Sequence, residues 1–231
     1  MGTALADMVT LHAFDLPCHG KSGNWDGCGV MHDTATDMAL RVLDDLGPVD
    51  VIGHSFGATV ALRLAIEHPS LIRKLVMFEP VYFAPAMADD PGFAQAYAQD
   101  TAEFDRALDA GDHMAAARAF NATWGNAETW DDIPQSTKTY MADRISFVRH
   151  SASFLIDDSA RLLAPGRFGL ADMPALLMRG AGSPWAKPVS NAIAKRLPQA
   201  QQITLDGIGH MGPITHPKAV SAPVRKFLNA A

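Results

Sequence analysis

Apolar positions along the first third of the chain follow two rhythms. Between Asp33 and Leu46, the residues Ala35, Met38, Ala39, Val42, Leu43 and Leu46 fall three or four apart. That spacing predicts an amphipathic helix, closed by Gly47 and Pro48. Short uninterrupted runs at Thr10–Phe14, Val49–Ile52 and Lys74–Phe78 read as strands, the last one buried and parallel. A helix joining the first two would form a right-handed β-α-β unit. A second helix runs from Ala58 through Leu62 and Ile66 to His68 and Pro69, where proline stops it.

From about Val81 to Ala171 the strand signals disappear. Alanine-rich stretches at Phe93–Ala110 and His113–Trp124 alternate with breaks at Gly111-Asp112, Gly125-Asn126 and Ile133-Pro134, and a third long helix is expected over Ser136–Ile156. The tail from Pro217 to Leu228 puts Val220, Val224, Phe227 and Leu228 on one helical face.

Composition narrows the class. A chain of 231 residues that is 48% hydrophobic can bury a substantial core as one domain with an insertion. A net charge of −6 supplies no basic stripe for nucleic acid and no polybasic membrane anchor. The N-terminus has no basic region followed by an apolar stretch, and no run approaches the length of a membrane span. Cys18 and Cys28 lack metal-site or disulfide-framework spacing, so free thiols in a reducing, cytoplasmic setting are expected, with no metal and no cofactor.

Chemistry enters at Gly53-His54-Ser55-Phe56-Gly57, between an apolar run and a helix. A strand, a sharp turn carrying serine and then a helix make G-x-S-x-G a nucleophile elbow. The cramped turn calls for residues without side chains at Gly53 and Gly57. The helix N-terminus offers partial positive charge, and the Phe56 N–H is placed to meet an oxyanion. Serine is a weak nucleophile at neutral pH and requires a base. His210, between Gly207-Ile208-Gly209 and Met211-Gly212-Pro213, is the candidate. His54 is expected to point away from the site into packing. His12, His32, His68, His113, His150 and His216 lack paired spacing and are expected to be solvated or capping.

Three segments carry a family resemblance. Asp15-Leu16-Pro17-Cys18-His19-Gly20-Lys21-Ser22 resembles the D-x-P-G-H-G-x-S loop after the fourth strand of α/β-hydrolases, Pro174–Gly180 resembles their penultimate strand, and Ile203–His210 their last strand and histidine loop. The resemblance implies a mostly parallel α/β sheet with flanking helices. It divides the chain into a core of residues 1–80 and 172–231 and an all-helical cap at 81–171. It also makes His19 a structural loop residue.

The acid departs from the family's common pattern. Many relatives carry an aspartate three residues after the glycine that ends the penultimate strand, and here that position is Ser183. Other branches place the acid after the sixth strand, where this chain has Glu79. The expected set is therefore Ser55, His210 and Glu79. A bracing role for Glu79 at the cap remains open, as do Asp206 and Asp172 as acids.

The resemblance also begins late. Only about a dozen residues lead up to the fourth-strand segment, so the family's first three strands are missing, and Met1–Val9 resembles the end of the helix that delivers the chain into it. A missing central strand would leave a gap of roughly 10 Å beside the fifth. Either the fourth strand slides across, or the chain is a fragment; the second reading is favoured. On it, the Phe56 N–H is the remaining oxyanion donor and activity is weak, since loss of one donor costs about 10²–10³ in rate.

A serine nucleophile excludes the branches that use aspartate and leaves acyl chemistry. The expected function is hydrolysis of an ester or related small acyl substrate through an acyl-enzyme. Phe83, Trp124, Tyr140 and Met211 are the candidate substrate contacts, with Phe56, Met87, Phe93, Trp130 and Met141 as further apolar lining. Carbon–carbon bond hydrolysis by the same residues and non-catalytic ligand binding are the alternatives.

Overall fold

A computed structural model describes residues 1–44, 46–125 and 129–230. Asp45, within the first expected helix, and the break at Asn126 lie outside the described residues. Four strands form one parallel sheet in the order β1 (Val49–His54), β2 (Ile72–Phe78), β3 (Ala175–Gly180) and β4 (Ala200–Leu205). Helix α1 (Met31–Leu43) leads into β1, and α2 (Phe56–Glu67) connects β1 to β2. Between β2 and β3 lie α3 (Ala84–Asp89), α4 (Pro91–Asp109), α5 (His113–Trp124), α6 (Gln135–Ala142), α7 (Ser146–His150) and α8 (Ala152–Leu155). Helix α9 (Ala186–Ala194) precedes β4, and α10 (Gly212–Thr215) and α11 (Pro217–Asn229) follow it.

Period-two alternation divides the side chains of the central strands between two cores. Leu75, Met77, Ala175 and Leu177 pack toward α1, α2 and α9. Val76, Phe78, Leu176 and Met178 pack toward Val220, Val224 and Phe227 of α11 and toward Leu5. Both faces of β2 and β3 are therefore covered, as a parallel sheet requires. A third cluster joins Phe104 of α4, Ala116 and Ala117 of α5, Ala142 of α6 and Ile145.

Three expectations about elements change. Thr10–Phe14 forms no strand, and α1 therefore opens no β-α-β unit. This segment faces the outer edge of β1 across a cleft of about 1060 Å³, with Thr10, His12, Phe14 and Leu16 on one wall and Val49 and Val51 on the other. An extended segment with no hydrogen-bonded neighbour is not stabilised as sheet. Met1–Val9 makes a short 3₁₀ turn at Gly2–Ala4 rather than an α-helix, and it buries Leu5 completely.

The helix expected over Ser136–Ile156 divides into α6, α7 and α8. A straight helix over that span would be about 30 Å long with one apolar stripe. The breaks instead let Ala142 and Ile145 bury against α4 and α5 while Phe154 and Leu155 reach the main core. The Ser151 hydroxyl donates back to the Phe147 carbonyl at 2.8 Å, a pattern that bends helices.

Leu176 lies mid-strand and fully buried against α11, whereas Leu11 is 47% exposed. Leu176→Ala is expected to cost about 2–5 kcal/mol of stability and Leu11→Ala under about 0.5 kcal/mol. Urea unfolding of both variants checks the assignment, and equal losses would contradict it.

Candidate active site

The carboxyl ends of the parallel strands gather the candidate residues, as open α/β sheets do. Pairing of His54 with Phe78 brings the ends of β1 and β2 level, so Ser55 and Glu79 leave the sheet side by side. Ladder contacts continue past both ends: the Ser55 N–H donates to the Phe78 carbonyl at 3.0 Å, and the Glu79 N–H to the Met178 carbonyl at 2.8 Å.

Ser55 has φ 54° and ψ −122°, a strained conformation for a residue with a side chain. Gly53 permits this bend, because a Cβ there would meet the Gly57 carbonyl oxygen at 2.4 Å. A Cβ at Gly57 would meet only open space, so the expectation that both glycines are sterically required holds for Gly53 alone. Ser55 precedes α2, and its carbonyl accepts from the Ala58 and Thr59 N–H groups. The Phe56 N–H, at the first position of that helix, has no intrahelical acceptor.

His210 reaches this turn from the loop after β4. Its Nε2 lies 2.9 Å from Ser55 Oγ, and its Nδ1 lies 2.8 Å from Glu79 Oε2. A carboxylate only accepts, so the neutral imidazole carries its proton on Nδ1 and turns the Nε2 lone pair to the serine hydroxyl. The other carboxylate oxygen of Glu79 accepts the Gly180 N–H at 2.7 Å. Glu79 is 1% exposed and has φ 46°, so a second strained residue lies directly beside Ser55. At Gly180 a Cβ would sit 2.0 Å from the Ile208 carbonyl oxygen, so the bare glycine lets the histidine loop lie against the end of β3.

The other acid candidates lie elsewhere. Asp206 and Asp172 are exposed and make no side-chain contact with His210 among the described residues. Ser183 is buried, with its hydroxyl lacking a hydrogen-bond partner among the described residues.

Two histidines differ from expectation. His54 does not point away from the site: its Nε2–H donates to the His210 carbonyl at 2.8 Å, and its ring lies 4.9 Å from the His210 ring. Alternation along β1 places it with Ile52 on the face that the histidine loop crosses, but the partner is 156 positions away and no local pattern reveals it. His32 is fully buried rather than solvated, stacked on Phe154 at 3.4 Å and bonded to Thr59 Oγ1 at 3.0 Å. His19 bonds the Pro17 carbonyl at 2.9 Å within its own loop. Among the described residues no cluster of His, Cys, Asp and Glu could hold a metal.

A cleft of about 940 Å³ opens beside Ser55 and His210, with Phe56, Phe83, Trp124 and Leu155 among its walls. Trp124 meets the His210 ring edge-on at 4.8 Å. Tyr140 and Met211 do not line this cleft. Tyr140 is 46% exposed beneath the Arg144 guanidinium, and the Met211 carbonyl caps α10. Of the further lining candidates, Phe93 packs edge-on against Trp185 in the core, Met87 packs against that core, Trp130 lies under Lys138, and Met141 joins the third cluster. Tyr97 of α4 lines the cleft although nothing in its local sequence distinguishes it from a core aromatic.

The family model for the alpha/beta hydrolase fold matches residues 1–217. The chain belongs to the α/β-hydrolase family. A pimeloyl-[acyl-carrier protein] methyl ester esterase of Klebsiella pneumoniae is 40% identical over 89 residues, 38% of this chain and 33% of that protein. A 2-hydroxymuconate semialdehyde hydrolase of a Pseudomonas species is 34% identical over 79 residues, 33% of this chain and 28% of that protein. The chain thus spans about a third or less of the length of these relatives. A crystal structure of a hydrolase from Pseudomonas aeruginosa superposes with a TM-score of 0.68 at 23% identity, covering 94% of this chain and 78% of that one. No described helix of this α/β-hydrolase is long and apolar enough to cross a membrane.

Burial gives His54 and His32 a consequence for stability. Desolvation, then the neighbouring His210, lowers His54 from 6.5 to about 4, and burial followed by Arg63 holds His32 well below its usual value. Below about pH 6.5 the unfolded chain binds protons that these folded imidazoles refuse. Stability is therefore unaffected by these groups above about pH 6.5 and falls as pH drops below it, for His54 down to about pH 4, by at most about 1.4 kcal/mol per pH unit per group. Urea midpoints measured across that interval should drop, and His54→Gln should make the drop shallower. An unchanged slope in that variant would contradict the contribution of His54.

Proposed function

We propose that this α/β-hydrolase is a serine hydrolase that cleaves an ester or related small acyl substrate through an acyl-enzyme. The observation that carries the reading is the continuous chain of hydrogen bonds from Glu79 through His210 to Ser55, at 2.8 and 2.9 Å. In this reading Ser55 Oγ attacks the substrate carbonyl while His210 Nε2 takes its proton. Glu79 holds the Nδ1–H tautomer and stabilises the imidazolium that forms. The Phe56 N–H at the start of α2 donates to the oxyanion, aided by the helix dipole. Collapse of the tetrahedral intermediate breaks the bond to the leaving group, which receives the proton from His210. Water then attacks the acyl-enzyme by the same route and releases the acid.

The helices between residues 81 and 171 act as a cap that shapes the cleft, with Phe83 and Trp124 contacting the substrate. A cytoplasmic setting belongs to the same reading and is supported by two cysteines that form no disulfide. A second reading, carbon–carbon bond hydrolysis by the same residues, is supported by the name of the Pseudomonas relative. Product analysis separates the two.

A fluorophosphonate probe should label Ser55, and Ser55→Ala should abolish labelling and turnover. Glu79→Gln should lower kcat by up to about 10⁴, while Asp206→Asn should stay within about threefold of the parent. The opposite order for the two acid variants would overturn the role given to Glu79. Absence of labelling in the parent would leave ligand binding without catalysis.

A further inference from the structure

The cleft beside Ser55 changes character along its length. Around Ser55 and the buried His210 its walls are apolar, formed by Phe83, Trp124 and Leu155. Its exposed end carries Asp100 and Asp105 of α4 and Arg149 of α7. Arg149 is the one permanent cation among the described residues lining the cleft. Its guanidinium is already committed: Nη1 donates to Asp109 at 2.5 Å, and Nη2 donates to the Asp105 side chain at 3.3 Å and to the Asp105 carbonyl at 3.0 Å. Asp100 accepts from Trp185 Nε1 at 2.9 Å and from Thr123 Oγ1 at 3.2 Å, both neutral donors. Two lining carboxylates thus stand against one lining guanidinium, which Asp109 also engages from outside the cleft, and the mouth keeps a net charge of about −1. Tyr97, on the wall of the same cleft, reports the same field. Burial first, then Asp105 and Asp100, push its phenol well above the usual range.

We propose that this acidic mouth makes the site selective for esters whose acyl chain is apolar and uncharged, and that it discriminates against acyl chains ending in a carboxylate. The proposal rests on the hydrolase reading given above and adds the substrate class. An anionic chain end would lose hydration on entering the cleft and would find no uncommitted cation in the described lining. It would also lie near Asp100 and Asp105, an interaction only partly screened at low ionic strength. An apolar chain meets the aromatic walls without that cost. Asp100 and Asp105 are then specificity-determining residues that act through the field at the mouth, and Asp109 acts on it only by holding Arg149.

The test compares p-nitrophenyl hexanoate with mono-p-nitrophenyl adipate, which has the same six-carbon acyl chain but ends in a carboxylate. At low ionic strength kcat/KM for the adipate should be lower by about tenfold or more, and the gap should narrow as salt is raised. A gap that stays unchanged with salt would mean exclusion by shape alone and would overturn the proposal. The Asp100→Asn, Asp105→Asn double variant should shift the ratio of the two rates toward the adipate.

Binding reads the same selection without turnover. Hexanamide should quench tryptophan fluorescence at about tenfold lower concentration than adipic acid monoamide. Equal or tighter binding of the anionic amide at low salt would overturn the proposal whether or not Ser55 is reactive. Failure of the fluorophosphonate to label Ser55, with the binding preference intact, would overturn the hydrolase reading alone.

Discussion

Glu79 places a carboxylate where 1% of the residue meets solvent, and the arrangement of the site follows from how that carboxylate is satisfied. A buried acid without partners is strongly destabilising, whereas one with a directed donor on each oxygen is tolerated. Here one oxygen takes the Gly180 N–H at the end of β3, and the other takes Nδ1 of His210 from the loop beyond β4. The residue itself ends β2. A single side chain therefore ties three successive strand ends together and sets the orientation of the imidazole toward Ser55.

Strain and close approach support that arrangement from both sides. Ser55 and Glu79 both hold positive φ, and each is anchored by an N–H that extends the sheet ladder beyond its last paired residue. Gly180 gives the histidine loop room against β3, and His54 holds the same loop through the His210 carbonyl. His54 is kept neutral over the ordinary pH range by burial and by its neighbour His210. It thus acts as a fixed donor rather than a second titrating base. The helical segment contributes Trp124 against His210 and the acidic end of the cleft, so the chemistry proposed for the sheet edge and the selectivity proposed for the mouth come from different parts of the chain.

Much of this arrangement is legible in the chain itself. The parallel strands at Val49 and Lys74, the elbow at Ser55, the all-helical stretch after β2 and the amphipathic tail each follow from local periodicity or from a turn with strict steric demands. Other features are not legible, because they depend on what lies opposite. Thr10–Phe14 has a strand's composition, yet it faces β1 across a cleft without pairing to it, and extended backbone without a paired neighbour is not sheet. Ser136–Ile156 has a helix's composition, but its apolar residues bury in two separate clusters, which one straight stripe cannot reach. Tyr140 reads as a pocket aromatic and instead lies at the surface beneath Arg144.

The sequence by itself pointed to the α/β class and to Ser55 and His210 as the candidate nucleophile and base. It also narrowed the acid, since Ser183 cannot carry the charge and Glu79 follows a strand end. The strands, helices and serine turn rest on short-range rules, the repeat of a helix or strand and the chemistry of single side chains, whereas the parallel α/β class and the two candidate positions for the acid come from the resemblance of whole segments to the family. Only the tertiary structure decided that Glu79 rather than Asp206 meets His210, that His54 reaches the His210 carbonyl, and that Arg149 is held by acids of α4. Each joins residues from 40 to 156 positions apart. Such pairings are selected by the register of a sheet and the packing of helices upon it, and neither is encoded in any local stretch of the chain.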